Sequence, residues 1–121
     1  TLNIKEEFNI QDLINLANGS PGKLLNNIQF WNEFPNEIKD NLDFPSNDNL
    51  EILNMAKLIT DELEIDQQVF LINLIQNKWW YKTKKVSILN KLEILKSHLK
   101  NFIQPRLAWE VTLLKIAIED M

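Results

Sequence analysis

The chain has 121 residues, 13 Lys and Arg against 17 Asp and Glu, 45% hydrophobic residues, two Gly, four Pro and no Cys. That length can bury roughly two-thirds of the surface an unfolded chain exposes, enough for one core, while the lack of Cys excludes disulfides, thiolate metal sites and cysteine nucleophiles and suits a cytoplasmic location. A single His leaves little for a zinc site or a Ser-His-Asp triad, so no catalytic residue, metal or cofactor is expected. No apolar run approaches the roughly 20 residues of a membrane span, and Thr1 to Glu7 lacks the basic and apolar regions of a secretory signal. An opening Thr predicts a piece of a longer parent.

Few Gly and Pro argue against a β-sandwich, which needs a turn signal about every 8–12 residues. The periodicities are helical. Ile10, Leu13, Ile14 and Ala17 recur at i, i+3, i+4 and i+7, with Gly19 as a stop. Ser20-Pro21 supplies an N-cap and a first-turn Pro for a helix carrying Leu24, Leu25, Ile28 and Trp31. A short segment from Phe34 to Pro45 and a polar linker follow. Asp48, with Glu51 three residues on, predicts a capped helix over 48–64, with Ile52, Met55, Ala56, Ile59 and Leu63 on one face and Asn54, Lys57 and Asp61 opposite. Asp66 is expected to cap a helix over 67–82 that is apolar around most of its circumference, and Lys84-Lys85 marks its end. The helix expected over 86–103 points Ile88, Leu92, Leu95, Leu99 and Phe102 inward and Asn90, Lys91, Ser97 and His98 outward. Gln104-Pro105 breaks it and opens a last helix over 105–120. The expected fold is all-α, a five- to six-helix bundle.

The carboxylates fall where caps and solvated faces need them: Asp12, Asp48 and Asp66 in first turns, Asp61, Glu62 and Glu64 near a helix end. No pair of them is embedded in an apolar stretch of the kind that general acid–base work needs. Gly19-Ser20-Pro21-Gly22-Lys23 falls short of a phosphate loop, which needs four residues between its glycines and a preceding strand.

Lys78-Trp79-Trp80-Tyr81-Lys82-Thr83-Lys84-Lys85 interleaves aromatic and basic residues, as single-strand binding surfaces do. Charge is also lopsided: residues 1–66 carry 13 acids and 4 bases, residues 67–121 carry 4 acids and 9 bases. Trp79 falls with Ile72 and Ile75 and reads as core, whereas Trp80 shares its side with Asn73 and Gln76 and is the aromatic offered outward. Contact with nucleic acid, contact with protein and plain helix-end packing all fit Trp80, Tyr81, Lys84 and Lys85.

In the last helix Ala108, Thr112, Lys115 and Glu119 form a narrow strip. Leu107, Val111, Leu114 and Ile118 lie on one flank, and Trp109, Leu113, Ile116 and Ala117 on the other. A helix so apolar needs cover on two sides. Glu110 lies between the flanks, one turn after Arg106, and needs a partner if buried. Arg106, Trp109, Glu110 and Leu113 therefore join the interface candidates.

Two stretches resemble a known family. Leu16-Ala17-Asn18-Gly19-Ser20-Pro21-Gly22-Lys23-Leu24-Leu25 is similar to the "L-A-x-G-S-P-G-[RK]-x-L" element that closes the lid in the delta-prime subunit of the bacterial DNA polymerase III clamp loader. Asn101-Phe102-Ile103-Gln104-Pro105-Arg106-Leu107-Ala108-Trp109-Glu110 is similar to that family's "N-x-x-x-P-R-L-x-x-E" segment, in a form that looks cyanobacterial. The resemblance implies a division into the end of an AAA+ lid, residues 1–23, and a helical collar, residues 24–121. It also implies a non-catalytic role in DNA replication, holding subunits of the sliding-clamp loader together, with gamma/tau and delta as partners and DNA met only indirectly. Gamma/tau has Gly-Ser-x-Arg at the lid position; here Gly22 stands in place of that Arg, which suits a subunit that does not hydrolyse ATP. The alternative is a helical module that binds single-stranded nucleic acid through the cluster at 78–85.

Overall fold

The computed structural model describes residues 20–42, 48–101 and 103–120. The regular structure there is helical, with no strand among the described residues: α1 (Pro21–Glu33), α2 (Asn36–Lys39), α3 (Asn49–Glu62), α4 (Ile65–Thr83), α5 (Val86–Lys100) and α6 (Pro105–Asp120). This is the expected all-α bundle. The helix expected around Ile10 to Ala17, the carboxylate of Asp12 and the side chain of Phe102 lie outside the described residues.

The helix ends follow local chemistry. Ser20 Oγ accepts from the backbone N–H of Lys23 at 3.3 Å, with Pro21 in the first turn, so an otherwise orphaned donor is satisfied where Pro lacks one. Asp48 caps α3 by accepting from the N–H of Leu50 at 2.9 Å. For α4 the cap is Glu64 rather than Asp66. Gln67 turns its side-chain oxygen back to accept from the Glu64 N–H at 2.9 Å, which starts the helix at Ile65 and leaves Asp66 in the first turn, where a negative charge favours the helix dipole. At the other end Lys84 adopts φ 56° and donates its N–H to Trp80 O at 2.8 Å, a left-handed cap of the kind glycine usually provides.

Helix α5 stops at Lys100, short of the expected residue 103. Asn101 donates both its backbone N–H (3.1 Å) and its side-chain amide (2.9 Å) to Ser97 O. The turn is closed before Pro105 imposes its own restriction on Gln104.

Helix α4 packs against α5 and, less extensively, α1; α6 packs against both α3 and α5, and α2 leans on α3. Cover from several sides accounts for the apolar circumference of α4, which packs on α5 and α1, meets α6 through Gln68 and reaches Leu42 through Trp79: Phe70, Leu71, Ile72, Leu74, Ile75 and Trp79 are all buried. Ile52, Ala56, Ile59 and Leu63 from α3 and its C-cap, and Ile88, Leu92, Leu95 and Leu99 from α5, are buried as their spacing predicts. Helix α1 buries no residue completely. It holds on through aromatic contacts, with the Phe30 and Phe34 rings 5.5 and 5.7 Å from Phe70, while Leu25 and Ile28, expected on its packing face, are exposed.

Candidate functional site

The two flanks of α6 separate in the structure. Trp109, Leu113, Ile116 and Ala117 are buried, whereas Leu107 is 53%, Val111 41% and Ile118 67% exposed, with Leu114 half-buried at the edge. Of the interface candidates on this helix, Trp109 and Leu113 are thus packed in the domain's own core. The strip between the flanks is corrected. Ala108 and Thr112 are buried, because α6 lies against both α3 and α5 and their small side chains allow close approach. Glu110 faces the other way, its side chain 21% exposed, and accepts from Arg106 Nε at 3.0 Å. An i, i+4 pair with the cation at 57% exposure contributes little to stability, about 0.3–0.5 kcal/mol. It leaves Leu107, Val111 and Ile118 as a solvent-facing apolar stripe with one neutralised carboxylate beside it.

The register of α6 on the bundle is set by a buried polar relay that sequence reasoning missed. Trp109 Nε1–H donates to Gln68 Oε1 at 2.9 Å, and Gln68 Nε2 donates to Leu63 O at 2.9 Å. Gln68 is buried although it lies on the core side of an apolar helix. An indole N–H with no acceptor in that position would cost on the order of 1–3 kcal/mol. A polar residue amid the apolar circumference of α4 was the available signal.

The aromatic and basic cluster is divided by the surface. Trp79 is 3% exposed and donates its Nε1–H to Leu42 O at 3.1 Å, as its core assignment requires. Lys78 is buried too. Trp80 is half-buried and Tyr81 exposed. The Lys84 ammonium lies over both rings, 5.4 Å from the Trp80 centroid and 4.7 Å from that of Tyr81. The left-handed backbone of Lys84 turns its side chain back along the helix end and covers ring faces on which a base would stack. Lys85 donates through Nζ to Glu119 O at 3.5 Å, so the expected candidates fall into two groups. Lys85 meets the C-terminal end of α6 and Lys84 lies over Trp80 and Tyr81, whereas Arg106 and Glu110 lie near the start of α6, about 20 and 14 Å from Glu119 along the helix axis.

Glu119 joins α6 to α5. It accepts from Lys91 Nζ and from Ser87 Oγ, and these bonds, the Lys91 one foremost, hold its carboxyl below the ordinary carboxylate range. A depressed folded-state pKa means that Glu119 stabilises the fold above its unfolded pKa and that this contribution is lost as pH falls through the folded pKa. Lys91→Met is therefore expected to flatten the acid limb of a stability–pH curve, with little change in slope above pH 6. An unaltered acid limb in urea melts would show that the α5–α6 ion pair has no such role. Glu93 is lowered in the same sense by Gln76 and then Lys96, but its side chain is largely exposed.

Among the described residues no cluster of three or more His, Asp or Glu side chains is placed to hold a metal ion, and no helix is long and apolar enough to cross a membrane. No curated protein and no solved structure matches the chain. A family model does, described as the C-terminal domain of cyanobacterial DNA polymerase III delta prime and matching residues 1–116. With nearly the whole chain matched, and an all-helical fold among the described residues, the protein belongs to the family of cyanobacterial DNA polymerase III delta prime C-terminal domains.

Proposed function

We propose that this chain is the non-catalytic collar of a clamp-loader subunit, joining it to neighbouring gamma/tau and delta subunits in the cytoplasm and meeting DNA only indirectly. The observation that carries the reading is the exposed stripe of Leu107, Val111 and Ile118 on a helix whose opposite side is already core. Contiguous apolar surface of this kind on a small domain marks an interaction site, flanked by the Arg106–Glu110 pair on one side and by exposed Lys115 on the other. The division between lid and collar proposed at residues 23 and 24 falls within the first turn of α1. A lid ending there would pass into the collar through a continuous helix.

The competing reading, a single-strand nucleic-acid module at 78–85, draws less support, since Lys84 occupies the faces of Trp80 and Tyr81 and Trp79 and Lys78 are buried. The test is assembly. Val111→Lys and Ile118→Lys change exposed positions and are expected to keep the melting free energy within about 1 kcal/mol, yet to weaken co-assembly with the other subunits at least about tenfold. Unchanged co-assembly by both variants would overturn the reading. DNA binding by the isolated chain that falls steeply with salt and is lost on Tyr81→Ala would favour its competitor.

A further inference from the structure

Beside α2 and α3 lies an open cavity of about 670 Å³, within the usual span of roughly 300–1,000 Å³ for ligand pockets. Its floor is apolar. Met55 and Leu58, both half-buried, line it, with Ile52, Ile59 and Trp79 behind them. Its rim is acidic: Glu37, Glu51 and Asp61 stand around it with the cation Lys57, all four exposed, while Asp40, also on the rim, is already engaged in an interaction of its own. The other cation of this region, Lys39, lies over the Trp31 ring at 5.3 Å.

The two properties select a ligand together. A cleft rimmed by mostly one sign of charge raises the local concentration of the opposite sign, so this rim favours a cationic ligand. An apolar floor open to water gains from being covered by apolar side chains. The spacing adds a third condition. Glu51 and Asp61 stand at opposite ends of α3, about 15 Å apart along its axis, which is the length of a ten-residue helix and longer than one small cation can bridge. We propose that this cavity docks a basic amphipathic helix of a partner protein, an apolar side chain seated on Met55 and Leu58 and Lys or Arg side chains directed to Glu51 and Asp61. The mode is helix-in-groove recognition. It uses none of the exposed residues of α6, so it stands or falls separately from the collar reading.

The chain contains two methionines, Met55 and Met121, so a sample labelled with 13C at the methionine methyl gives one probe on the cavity floor and one at the C-terminus. The ligand probes are two synthetic 14-residue helical peptides with Leu at i, i+3, i+4 and i+7, one with Lys at its polar positions and one with Glu. The Lys peptide is expected to shift the Met55 signal saturably and the Glu peptide to leave it in place, with Met121 unmoved by either. Asp61→Lys should weaken the Lys peptide about tenfold, the loss of one attraction and gain of one repulsion at an exposed site. That substitution is safe for the fold, because Asp61 is exposed in the last turn of α3, where a positive charge suits the helix dipole. Equal shifts from both peptides would mean apolar filling without charge selection and would overturn the proposal. So would Lys-peptide binding that leaves Met55 unmoved, undiminished binding by Asp61→Lys, or a Met55 shift on dilution without peptide, which would identify a second copy of this chain as the occupant.

Discussion

Trp109→Ala is expected to lower the unfolding free energy by about 3–5 kcal/mol, a large share of the roughly 5–15 kcal/mol available to a domain of this size. Trp109 is fully buried where α6 crosses the bundle, and its truncation both opens a cavity and leaves Gln68 Oε1 without its donor. Trp109→Phe separates these effects, keeping most of the ring but deleting the N–H, and should cost about 1–3 kcal/mol. Gln68→Met removes the acceptor instead and should cost a similar amount. Because the two residues share one bond, the double variant should lose less than the sum of the singles. Additive losses in urea melts would show that the bond between Trp109 and Gln68 carries no coupling energy.

Neighbouring residues of α6 should respond in opposite ways to the same change. Leu113→Lys removes a buried apolar side chain from the core and puts an ammonium in its place, and a buried charge without a paired partner costs several kcal/mol; the variant is expected to lose its cooperative melt. Val111→Lys, two residues earlier, places the same ammonium in water beside Glu110 and is expected to fold. A domain that unfolds with Val111→Lys as readily as with Leu113→Lys would make α6 a central core helix, with no free flank to offer a neighbour.

Much of this architecture is legible in the sequence because it follows from period and punctuation. Ser20-Pro21, Asp48 and Gln104-Pro105 mark helix starts by supplying an acceptor or removing a donor, and the stripes of α3 and α5 give their inner faces from the 3.6-residue repeat. The start of α4 is less so, since Glu64 and Asp66 offer competing carboxylates and the choice depends on the reach of Gln67. The two flanks of α6 are visible on a helical wheel, but which flank is core is not. That depends on how α3 and α5 converge on it, information carried by contacts remote in sequence such as Trp109 with Gln68. Glu119, assigned to a polar strip, instead ties α6 to Ser87 and Lys91 for the same reason.

The natural absence of Cys permits the most direct test of the α6 flank. A single thiol introduced by Val111→Cys should react with a maleimide at nearly the rate of an unfolded control in the isolated domain, and at least about tenfold more slowly once the domain is assembled with gamma/tau and delta subunits. A thiol introduced by Leu50→Cys, at an exposed residue in the first turn of α3, serves as the reference for general crowding. Protection at 111 without protection at 50 is the expected result. Equal reactivity at 111 in the free and assembled domain would contradict a subunit contact through this flank.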